Sequence, residues 1–193
     1  MSANDRFRDT LAALRAARES RDGYPSEFAS ELITVVGSIC DGLSVTDQQR
    51  RDALQVAELH DIGMLGVPVE VLVADRSLTA SERLEVEQAP ATAARLLDRI
   101  PGLEGAADAV RHVREHWDGS GYPDGLEGEK IPLVSRIVAV ASAYVAMTSP
   151  RHHRAAMHPR NACNQLNDGA GTQFDRHAVD VLLDLIEPLI SDD

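Results

Sequence analysis

Apolar residues recur along most of this chain at helical spacing, with charged residues on the opposing faces. Phe7, Leu11, Leu14 and Ala17 form one stripe and predict an amphipathic helix over Asn4–Ser20. Such a stripe must be covered, either by capping the domain's own core or by pairing with a second copy of the chain. The run from Arg21 to Ser26 contains Gly23 and Pro25 and breaks that helix. The pattern therefore separates a helix within residues 1–22 from a main domain over 23–193.

In the main domain, Phe28, Leu32, Val35, Val36 and Ile39 predict a buried helix from Ser26 to about Cys40. Thr46 or Asp47 starts the next helix, which runs to about His60. Ile62–Pro68 reads as a Gly-punctuated loop and Val69–Val73 as a short helical turn. Thr79 or Ser81 caps a further segment, with Glu82 and Glu85 in its first turn. Pro90 fits the start of a helix over Ala91–Arg99, and Glu104–His116 reads as one continuous helix. Leu133–Met147 is apolar nearly all round, which predicts the central buried helix. Helices over Arg154–Asn167 and from Asp175 to Ile190 complete an all-α chain of about eight or nine helices.

Composition sharpens this picture. Aromatics make up only 4%, so Ala, Leu, Val and Ile must carry the burial, which suits packed helices. The formal net charge is −12, a surface that repels phosphate backbones and anionic lipid. Nucleic acid and membrane surfaces are therefore poor partners. Ser2–Arg21 is charged throughout and no apolar run approaches the roughly 20 residues of a membrane span. A cytoplasmic protein is expected, with Cys40 and Cys163 as buried, reduced thiols.

One stretch departs from helical patterning. Trp117-Asp118-Gly119-Ser120-Gly121-Tyr122-Pro123-Asp124-Gly125 cannot continue a helix and specifies a tight, ordered loop. With Leu59-His60-Asp61-Ile62-Gly63 upstream, this loop resembles the HD-GYP family, a branch of the HD-domain phosphohydrolases whose members degrade cyclic di-GMP. The resemblance runs from about Ser26 to Ile186 and is carried by HDIGMLGVP, WDGSGYPDGLEGEKIPLVSRIVAVA, TSPRHHRAAM and Gly171–Asp175. It implies an HD-type helical bundle. It also implies Fe or Mn ions held by converging His and carboxylate groups, which activate water for attack on a phosphodiester.

Set against that pattern, His60 and Asp61 match the HD pair. The upstream family His falls on or beside Pro25, and the His before a proline falls on Ala89. The paired His fall on Val113 and Arg114, and the aspartates of the later helix on Ser142 and Val145. The phosphate-contacting lysine is Met64. Two donors cannot assemble a multi-metal centre. The expectation is no metal cofactor and vestigial His60 and Asp61 in local hydrogen bonds; any ion that did bind would use that pair. His112 and His116, on one helix face, form a weaker two-donor candidate. His152, His153 and His158 lie among arginines, a poor cation site.

The resemblance leaves three functions open. A non-catalytic signalling module would contact a protein partner, such as a GGDEF-type cyclase domain, through Trp117, Asp118, Gly119, Gly121, Tyr122 and Pro123. A metal-free nucleotide receptor would use Arg151 and Arg154, which match the family's phosphate-facing arginines. A residual metal-dependent phosphodiesterase would act through His60 and Asp61.

Overall fold

The computed structural model describes residues 11–14, 16–17, 20, 26–150 and 155–190. The described parts of the expected first helix are helical, and Leu11 is buried in the main core with Leu14 packed against it. From Ser26 onward the described residues form α1 (Ser26–Gly42), α2 (Asp47–Leu59), α3 (Val69–Leu72), α4 (Ala80–Glu87) and α5 (Ala89–Leu97). They continue as α6 (Glu104–Arg111), α7 (Leu133–Thr148), α8 (Pro159–Gly169) and α9 (Arg176–Ile190). Short 3-10 helices span Ile62–Gly66 and Gly128–Lys130. Among the described residues no strand forms, only isolated bridges pairing Asp118 with Glu127 and Ala170 with Phe174.

Local chemistry explains the helix starts. Thr46 accepts from the Gln49 amide while the Gln49 side chain accepts from the Thr46 amide, a reciprocal cap for α2. Thr79 and Glu82 do the same for α4. Asp175 accepts from the His177 amide at the start of α9. As its apolar pattern predicts, α7 is the centre: Ile137, Val138, Val140, Ala141 and Val145 are fully buried, and α1, α2, α6, α8 and α9 pack around it. Cys40 and Cys163 are free and buried, and burial pushes both thiols up. No helix among the described residues is long and apolar enough to cross a membrane.

Four expectations need correction. Ile62–Gly66 is a 3-10 helix rather than a loop. Gly63 lets it press against α5: a Cβ there would lie 1.8 Å from the Ala89 carbonyl oxygen. The helix expected over Ala91–Arg99 starts earlier, at Ala89, and ends at Leu97. The one expected from Arg154 starts only at Pro159, where the His158 ring accepts from the Arg160 amide. Finally, α6 ends at Arg111, and residues 112–114 form a turn. His112 and His116 therefore do not share a helix face.

Candidate functional site

The site is built where the end of α2, the end of α6 and the Gly-rich loop meet. His60 terminates α2, and Asp61 precedes the 3-10 helix, its carbonyl accepting from the Met64 amide at 2.9 Å. The His60 ring is buried, lies 3.2 Å from the Ala57 carbonyl through Nδ1, and stacks on Phe28. Its Nε2 is 3.4 Å from Asp61 Oδ2. The other Asp61 oxygen takes a 3.4 Å contact from the Arg114 guanidinium.

The positions that the resemblance sets against the family's metal ligands make the following contacts. Val113 and Val145 are buried in the main core. Ala89 belongs to a small satellite core with Val67 and Val71, against which Met64 packs. The Ser142 hydroxyl donates to the Ala139 carbonyl at 3.2 Å, within its own helix. Arg114 brings a fixed positive charge to Asp61. Among the described residues, this donor set does not fit a paired-metal centre. Arg151 and Arg154 lie outside the described residues, as do His152 and His153.

Sequence reasoning missed a second cluster. Ligand atoms of His112, Glu115 and Asp124 all fall within 4.8 Å of one another. Each is already matched. Arg111 clasps the Asp124 carboxylate through two hydrogen bonds, of 2.7 and 2.8 Å, and His112 Nε2 adds a third contact at 3.0 Å. The arginine holds the Asp124 carboxyl below the usual range, with His112 contributing. Glu115 is buried, and its two oxygens accept from the amides of Asp124, at 2.7 Å, and Leu126, at 3.1 Å. The Arg111 guanidinium, the His112 ring and two main-chain amides engage the carboxylates, so the cluster reads as a clasp on the loop. The sequence carried only an acid inside the loop, Asp124; that the helix ends at Arg111 and brings Arg111 and His112 to it is decided by the fold.

The loop itself is fastened at several points. Gly121 packs directly on the preceding turn, where a Cβ would meet the His116 nitrogen at 2.2 Å. The Tyr122 amide donates to the Arg114 carbonyl at 3.2 Å, and the Tyr122–Pro123 peptide is cis. Gly119 takes a positive φ of 79°, and its amide donates to His116. Asp118 accepts from both the amide and the hydroxyl of Ser120, which lowers its pKa. Trp117 and Asp118 donate main-chain N–H groups to Gln173 and Thr172, tying the loop to the start of α9. The Arg136 guanidinium lies 5.7 Å from the Trp117 ring centre and pairs with buried Asp175 at 2.6 Å. Tyr122, Pro123, Trp117 and Leu126 remain half-buried, and burial raises the Tyr122 phenol.

An all-α bundle with a His-Asp corner beside a Gly-Tyr-Pro loop defines an HD-type protein. The HD domain family matches residues 10–178, and this chain belongs to it. Its motif-level resemblance to the HD-GYP branch stands with that membership. The chain is 38% identical over 182 residues to the cyclic di-GMP phosphodiesterase response regulator RpfG of Xanthomonas campestris pv. campestris, covering 93% of this chain and 48% of that protein. A cyclic GMP-AMP specific phosphodiesterase of V. cholerae has a similar solved structure, with a TM-score of 0.70, 20% identity, and coverage of 92% of this chain and 48% of the other. An HDG"Y"P protein from Bdellovibrio bacteriovorus aligns with a TM-score of 0.67 at 18% identity, over 84% of this chain and 52% of the other. The chain spans about half the length of the curated relatives it matches.

Proposed function

We propose that this chain is a degenerate HD-GYP-type module that regulates through protein contact and does not hydrolyse a phosphodiester. The observation that carries this reading is Arg114. It stands where a metal-binding imidazole is expected and directs its guanidinium at Asp61, one of the two retained donors. A permanent cation there opposes the approach of metal ions and supplies the counter-charge they would otherwise provide. The loop is nevertheless kept and fastened independently of any metal, through Glu115, Asp124 and the main chain of Arg114. A preformed loop carrying Trp117, Tyr122 and Pro123 is a suitable partner-recognition surface, because aromatic anchors on rigid backbone lose little entropy on binding. A GGDEF-type signalling domain is the partner class the resemblance implies.

The relatives' names favour a second reading, a working cyclic-dinucleotide phosphodiesterase. The two readings separate in one experiment. Purified protein, supplied with Mn(II) or Fe(II) under reducing conditions, is assayed against cyclic di-GMP and 3'3'-cGAMP. The non-catalytic reading expects no turnover and no stoichiometric metal by elemental analysis. Turnover abolished by His60→Ala, with metal bound, establishes the enzyme instead.

A further inference from the structure

Arg114 touches both the corner and the loop. Arg114 reaches Asp61, 53 positions away in sequence, with its guanidinium at 3.4 Å. Its own carbonyl accepts the Tyr122 amide at 3.2 Å. That carbonyl is also one of the atoms on which Gly121 rests, where a Cβ would come within 2.6 Å. The Asp61 side chain is only 16% exposed and the Arg114 side chain 38%, so the pair is partly shielded from water. Asp61 in turn sits against His60 Nε2 at 3.4 Å, and the His60 ring stacks on Phe28 of α1. A continuous path therefore runs from α1 through His60, Asp61 and Arg114 to the loop.

We propose that Arg114 is a built-in tether: its side chain holds the Asp61 carboxylate while its main chain holds the Gly-rich loop, joining corner and loop by a protein cation. This rests on the metal-free reading of the corner. The tether predicts an effect at a distance. Removing the Asp61 charge frees the guanidinium, and the turn that presents the Arg114 carbonyl loosens. The Tyr122 amide, which donates to that carbonyl, then exchanges faster. The Leu126 amide is held by Glu115 and stays slow.

The test uses the full chain in four forms: wild type, Asp61→Asn, Arg114→Gln and the double variant. The expected result has two parts. Each single variant lowers Tm by about 2 °C, and the double variant lowers it no further than the larger single. Both singles also speed hydrogen exchange at Tyr122 by roughly threefold or more relative to Leu126. Where Arg114→Gln does not fold, Arg114→Lys, which keeps charge and stem, supplies the comparison. Additive losses in Tm with unchanged Tyr122 exchange overturn the tether. A separate titration with Mn(II) keeps the two ideas apart. A rise in wild-type Tm that His60→Ala abolishes removes the metal-free reading, and the tether with it. No rise, together with additive variants, removes the tether alone.

Discussion

Glu115 is the residue whose role depends most on its surroundings. It is an acid buried to 3% exposure, and both its oxygens accept main-chain N–H groups from the loop. Glu115→Ala leaves the Asp124 and Leu126 amides without that acceptor, so it is expected to cost about 1–3 kcal/mol in chemical denaturation. The same variant should release the loop, read as faster exchange at both amides. Glu82 is the half-buried counterpart, paired with an exposed arginine. Its bidentate partner Arg76, at 2.6 and 2.8 Å, lowers its pKa to about 2, with the Thr79 amide adding to the effect. The sign follows from a folded-state pKa depressed below the unfolded value of about 4.3. The stabilisation is complete above that value and is lost as the pH falls through about 2. The Tm difference between wild type and Glu82→Gln should therefore shrink across that window, while remaining constant between about pH 5 and 7.

Among elements, the capped helices and the truncated α6 make a useful contrast. The reciprocal Thr46–Gln49 cap is a local motif whose residues sit three apart, so the sequence placed the helix start at Thr46 or Asp47 and the structure decided for Thr46. Thr46→Ala should destabilise the chain by about 1 kcal/mol, measured by urea unfolding, with α2 fraying first in hydrogen exchange. No comparable signal marks the end of α6. Neither Gly nor Pro follows Arg111, and the helical pattern invites continuation to His116. The chain turns at His112 because the groups beyond it have distant partners: the Arg114 carbonyl takes Tyr122, and the Glu115 carboxylate takes Asp124 and Leu126. Those bonds outweigh the intrinsic preference to extend the helix, which is worth only a few tenths of a kcal/mol per residue.

For the whole molecule, the charge balance is the dominant long-range term. At a formal charge of −12 the folded chain repels itself, and salt screens that repulsion over a Debye length that falls from about 30 Å at 0.01 M to about 10 Å at 0.1 M. Raising NaCl across that range at pH 7 should raise Tm, and a fall would mean that the ion pairs Arg111–Asp124 and Arg136–Asp175 outweigh the net repulsion. The sequence by itself determined what depends on near neighbours or on burial of whole stripes: the all-α class, the central position of Leu133–Met147, helix starts at Thr46 or Asp47 and at Thr79 or Ser81, the cap at Asp175, and the ordered loop at Trp117–Gly125. Periodicity and capping act within a few residues, so a linear reading captures them. Only the tertiary structure decided which polar groups meet. The pairing of Arg114 with Asp61, the clasp of Arg111 and Glu115 on the loop, and the contact of Arg136 with Asp175 join residues far apart in the chain. Their geometry follows from how α2, α6 and α7 pack, and spacing along a chain carries no record of that.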